Sequence, residues 1–217
     1  MTGSTLNMHY TIADPKTFGI SEYEPVLPIY HSGQPEDSKE HCSDLLHRLD
    51  RIDPDRLSPE NAYTYRLLHR SLENDLALAD FPYYNEPLSP SSGMQSQLPV
   101  LLAEYTFRTK RDVTDYLALL DQIDDYFASL LLYEQEKAAA GFFMPACSSE
   151  KVRKQCDTIV TTEELAQGTH FLQTTFEDRL SELQKQGLFT PEETASLIET
   201  NDRLLATVVQ PVYAALS

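Results

Sequence analysis

Thr109-Lys110-Arg111-Asp112-Val113-Thr114-Asp115-Tyr116-Leu117-Ala118-Leu119-Leu120 decides the fold class. A hydroxyl residue followed three places later by a carboxylate opens a helix, because each side chain can take a backbone N–H that the first turn leaves unpaired. From there Val113, Tyr116, Leu117, Leu120, Ile123, Phe127, Leu130 and Leu131 recur at three- and four-residue steps. That spacing predicts one continuous apolar stripe on a helix that Gly141 closes.

Toward the C-terminus the same period continues. Ser148 or Ser149 is placed to cap a helix whose face is Val152, Cys156, Ile159 and Val160. Gly168 interrupts it, and Leu172, Phe176, Leu180 and Leu183 then run to Gly187. Thr190-Pro191-Glu192-Glu193 is a full capping box with proline at the first helical position, and it opens a helix through Leu197, Leu204, Leu205, Val208 and Val212. Pro211 lies inside that stretch, where an isolated helix would lose about 3 kcal/mol, so a kink or an end is predicted there. The pattern is still running at Ser217, which reads as a chain cut short. The apolar face of Val208, Val209 and Val212 is then expected to be exposed, and open to self-association.

Toward the N-terminus, Phe81–Pro99 holds four prolines with several serines and reads as a long loop. Ser58-Pro59-Glu60 opens a helix with Tyr65, Leu68, Leu72 and Leu76 inside. Before it, Cys42, Leu45, Leu46, Leu49 and Ile52 mark another, ended by Asp53-Pro54. Residues 1–35, punctuated by Pro15, Pro25, Pro28 and Pro35, read as an extended arm. No window alternates with period two. The expectation is all-α: an irregular bundle of about six or seven helices over 36–217 as one domain, with the arm packed on it and a long Pro-rich loop.

Composition narrows the partners. Among 217 residues, 34 Asp+Glu against 17 Lys+Arg give a net charge of −17, which repels nucleic acid and anionic lipid, and no basic stretch offsets it. The apolar runs Leu98–Ala103 and Phe127–Leu132 fall far short of the roughly 20 residues a bilayer needs, and Met1-Thr2-Gly3-Ser4 shows no export signal. Neither nucleic acid nor membrane is therefore an expected partner. Cys42, Cys147 and Cys156 contain no CxxC pair and allow at most one disulfide.

Reactive motifs are scarce. A zinc-protease helix needs HExxH so that two imidazoles share a face with a general base beside them, and none is present. His41, Asp44 and His47 are spaced so that the histidines point about 120° apart on a helix, which suits solvent better than a shared ion. His9, His31, His69 and His170 read as surface or cap residues. Glu134 with Glu136, and Asp121 with Asp124 and Asp125, read as polar helix faces. No nucleophile elbow or phosphate loop occurs, and Cys147 and Cys156 have no histidine nearby in sequence. No catalytic residue, metal ligand or cofactor is assigned to this chain. The exception is Glu86–Pro99, where uncharged hydrogen-bonding side chains adjoin Pro and Gly. It fits either a wall that contacts a ligand or a structural loop that caps helix ends.

The runs Leu6-Asn7-Met8-His9-Tyr10-Thr11-Ile12-Ala13-Asp14-Pro15, Glu86-Pro87-Leu88-Ser89-Pro90, Gly93-Met94-Gln95-Ser96-Gln97-Leu98-Pro99-Val100-Leu101-Leu102 and Ala140-Gly141-Phe142-Phe143-Met144 resemble the bacterial domain-of-unknown-function family 885. The resemblance spans nearly the whole chain, in order. It implies a protein similar to helical zinc metallopeptidases, of which this chain would be the non-catalytic N-terminal region. The catalytic half, with its HExxH helix and zinc, would then be the missing partner. On the same resemblance Gln95, Ser96 and Gln97 border a peptide substrate channel, and the location is the cell envelope or outside it. The other reading is a stand-alone acidic helical module that binds a basic peptide or protein.

Overall fold

Residues 5–30 and 34–217 are described by a computed structural model, and among them all regular structure is helical. The α-helices are α1 (Thr5–Thr11), α2 (Gln34–Leu49), α3 (Pro59–Leu78), α4 (Met94–Ala103), α5 (Lys110–Asp121), α6 (Ile123–Ala139), α7 (Ala146–Ile159), α8 (Thr162–Gln167), α9 (Phe171–Lys185), α10 (Pro191–Leu204) and α11 (Gln210–Leu216). The all-α expectation holds. The described helices outnumber the expected six or seven because several are short and one long stripe is divided.

Local chemistry sets most boundaries. The Thr109 hydroxyl accepts from Asp112 N–H at 3.3 Å, and the Asp112 carboxylate accepts from Thr109 N–H at 2.7 Å. Thr190 and Glu193 form the same reciprocal pair. Ser58 caps α3. Gly141 takes φ +89°, a region other residues enter at a cost, and Phe142 N–H then reaches the Lys137 carbonyl at 3.0 Å.

Four expectations need correction. The stripe from Val113 to Leu131 is two helices, because the chain leaves helical geometry at Gln122 (φ −96°, ψ 0°). The Gln122 side chain accepts from Leu27 N–H and donates to the Pro25 and Ala118 carbonyls, so it ties the arm to this corner. The arm itself begins as α1, with Leu6, Met8 and Ile12 buried, and runs without regular structure from Ile20 to Tyr30. α7 starts at Ala146 behind Pro145, so Ser148 and Ser149 lie inside its first turn and do not cap it. The long loop ends sooner than expected, since α4 begins at Met94 and contains Pro99. Proline in a helix orphans the carbonyl four residues earlier. Here that carbonyl belongs to Gln95, and the buried Tyr213 hydroxyl donates to it at 2.7 Å.

Pro211 is accommodated differently. Leu205–Val209 widen to a π-helix in which Gln210 N–H bonds the Leu205 carbonyl, five residues back, and α11 restarts with Pro211 in its first turn. One extra residue in the turn removes the register in which the ring would clash. Val209 is buried there, and Val208 and Val212 are half-buried, so the exposed apolar face expected at these three residues is absent.

The chain forms two compact units. Of the described residues, the first holds 5–29, 87–132 and 143–217. Its core is the aromatic and aliphatic face of α5, α6 and α9 with Leu98 and Leu102 of α4 and Tyr213 of α11. Phe176 sits 5.5 Å from Phe107 and 5.4 Å from Tyr116, ring to ring, and all three are buried. Of the described residues, the second unit holds 30, 34–86 and 133–142: the α2–α3 pair, the turn after α3, and the last turns of α6. No α3 residue is fully buried.

Candidate functional site

In the second unit, Asp80, Phe81, Pro82, Tyr83, Tyr84, Glu86 and Phe142 line a cleft of 770 Å³, within the size range of small-molecule and side-chain pockets. Its shape comes from the end of α6. Tyr133 donates its hydroxyl to the Pro82 carbonyl at 2.9 Å, with the Asn85 carbonyl 3.2 Å away, which fixes the turn that carries three of the rings. The turn after Gly141 brings in Phe142, whose ring lies 5.8 Å from that of Tyr83. Phe81, Tyr84 and Phe142 are 63%, 75% and 56% exposed, the reverse of what burial favours for such side chains.

One ammonium holds the floor of the turn. Lys137 is buried, and its Nζ lies 2.7 Å from Glu86, 3.7 Å from Glu134 and 3.4 Å from the Asn85 carbonyl. Burial pushes the Glu134 carboxyl up, with Lys137 opposing and Glu86 adding to the rise. Burial also lifts the Tyr133 phenol to about 12. Two carboxylates on one cation leave a negative surplus at the cleft. Asp80, on the rim, pairs with Lys39 at 2.5 Å. Sequence reading placed Glu134 and Glu136 on a solvated face; both are half-buried, and each has one buried oxygen without a hydrogen-bond partner.

The residues singled out by resemblance, Gln95, Ser96 and Gln97, sit in three different environments. Gln95 is buried and donates to the Ser89 carbonyl at 2.7 Å and to Gln155 Oε1 at 2.9 Å, while Gln155 donates to the Pro90 carbonyl. This network ties the Pro87–Gly93 segment to α7. Gly93 is required beneath it, since a Cβ there would meet Gln95 Oε1 at 2.0 Å and Ser89 N at 2.2 Å. Ser96 donates to the Gly93 carbonyl, and Gln97 is exposed on α4.

The histidines divide. His170 caps α9 through Nδ1 and is buried, and His69 faces Asp50 at 3.2 Å and Glu73 at 3.5 Å. His41, Asp44 and His47 are exposed on α2, where Asp44 pairs with Arg48. His31 lies outside the described residues. His9, read as a surface residue, is buried: its ring stacks on Tyr105 at 3.7 Å and its Nδ1 lies 3.9 Å from Asp112. Burial lowers its pKa against the pull of Asp112. Beside it, Arg179 donates to the Leu102, Tyr105 and Thr175 carbonyls and lies 4.4 Å over the Phe107 ring. Among the described residues no three His, Cys, Asp or Glu side chains converge as a metal site. All three cysteines are free, and burial pushes the Cys156 thiol to about 11.

The family model described as "Bacterial protein of unknown function (DUF885)" matches residues 16–217. The chain belongs to the DUF885 family. A solved structure with the same fold is "the putative lipoprotein from Colwellia psychrerythraea", at TM-score 0.77 and 15% identity. The alignment covers 97% of this DUF885 chain and 36% of that one, so this chain spans about a third of its neighbour's length. A search of curated proteins finds no match. Among the described residues of this DUF885 chain, no helix is long and apolar enough to cross a membrane.

Proposed function

We propose that this DUF885 chain is the non-catalytic helical region of a longer, cell-envelope protein resembling zinc metallopeptidases, where it shapes a cleft for peptide substrate. The observation that carries the reading is the cleft of the second unit: exposed rings on a turn pinned from beneath by Tyr133 and Lys137. Rigid support under exposed aromatic side chains suits binding, because the rings need no reordering when a ligand arrives. The length of the solved neighbour supports a larger parent protein. In this reading the zinc ligands and general base stand outside these 217 residues, and Gln95 contributes by holding the Pro87–Gly93 segment. The test is peptide hydrolysis by the protein read from the continuous reading frame, beside the same assay on this chain. Zinc-dependent cleavage by the former and none by the latter is expected; hydrolysis by the 217 residues alone would overturn the proposal.

A further inference from the structure

We infer that the aromatic cleft of the second unit receives a basic side chain, Lys or Arg, of the bound peptide. This deepens the peptide-cleft reading and rests on it. Phe81, Tyr83, Tyr84 and Phe142 line the cleft with four aromatic rings, and a ring face carries negative potential that attracts a cation lying over it. At three other places in the molecule a cation already lies over a ring: Arg111 3.9 Å over Tyr23, Lys110 4.7 Å over Phe189, and Arg179 4.4 Å over Phe107. Among the described residues no lysine or arginine lies over a ring of the cleft.

Charge at the cleft points the same way. Lys137 answers two carboxylates, Glu86 and Glu134, and Glu86 is itself a lining residue that is nearly half exposed. An apolar side chain would fill the rings and leave that surplus unanswered. An acidic one would be repelled by it and by a chain of net charge −17. A guanidinium or ammonium satisfies both, with its aliphatic stem along Pro82 and the rings.

The experiment is calorimetric titration of this chain with three blocked tripeptides that differ only at the centre: Ac-Ala-Arg-Ala-NH2, Ac-Ala-Leu-Ala-NH2 and Ac-Ala-Glu-Ala-NH2. The Arg peptide should bind about tenfold more tightly than the Leu peptide, with an advantage that shrinks as salt rises. Tyr84→Ala, Asp80→Asn and Glu86→Gln should each narrow the gap, with thermal melts confirming that each variant folds. Tyr84 and Asp80 are exposed, so the test does not hinge on Glu86 and its buried partner. Equal binding of the Arg and Leu peptides, or an Arg preference untouched by all three variants, overturns the inference and leaves the peptide cleft standing. Binding of none of the three removes the inference together with the reading beneath it.

Discussion

Around Arg179, the rings of Tyr105, Phe107, Tyr116 and Phe176 are buried, whereas in the cleft of the second unit the rings of Phe81, Tyr84 and Phe142 stand more than half exposed above the buried Tyr133 and Lys137. The two cations are held differently. A guanidinium is flat and weakly hydrated, so Arg179 can lie on ring faces while its N–H groups go to three backbone carbonyls, and the cluster closes on itself. An ammonium is a compact charge. Lys137 is taken up by two carboxylates and the Asn85 carbonyl, which holds the end of the turn that carries Phe81 and Tyr84. Rings sealed around a cation hold the fold together; rings fixed beside one remain available.

The sharpest way to break this comparison is Phe176→Ala, expected to cost about 3–5 kcal/mol in urea denaturation because it empties the sealed cluster. A cost near zero would mean that the first cluster is as loose as the second. Next, Lys137→Met keeps the stem and removes the charge, leaving the half-buried Glu134 carboxylate without its cation at a cost of about 1–3 kcal/mol. Hydrogen exchange should show faster opening at Tyr83–Glu86 than at α9, and equal changes in both units would dissolve the distinction.

A smaller effect follows from His9. Its folded pKa lies below 6.5 because burial disfavours the charged ring. The unfolded chain therefore binds a proton first as pH falls. This group's contribution to stability is fully present above 6.5 and declines as pH drops from there toward the folded value. Denaturation at a series of pH values should show that decline, and His9→Phe should flatten it. The smallest effect is Tyr84→Ala, which should change stability by no more than about 0.5 kcal/mol while weakening peptide binding. A large destabilisation there would make the exposed ring structural.

What could be read from sequence alone follows the range of the interactions. The boxes at Thr109 and Thr190 close within three residues, so the chain spells them out. Pro99 misleads because the hydroxyl that answers its orphaned carbonyl is on Tyr213, 118 residues away. The cleft is equally non-local: Phe142 joins Tyr83 through folding, and no spacing announces it. Lys137 did leave a trace. Ile123, Tyr126, Leu130, Tyr133 and Lys137 follow one another at steps of three and four along α6, so the lysine continues the buried stripe and only its charge disguised it.

That burial gives the molecule a chemical reporter. Lys16, Lys39, Lys110, Lys151, Lys154 and Lys185 are exposed, and Lys137 alone among the seven lysines is enclosed. An acylating reagent finds the six open to solvent, whereas the seventh is closed to it until its surroundings open. The slow step in labelling therefore times the opening of one corner of the protein, and a ligand seated against those surroundings would lengthen it without touching the lysine.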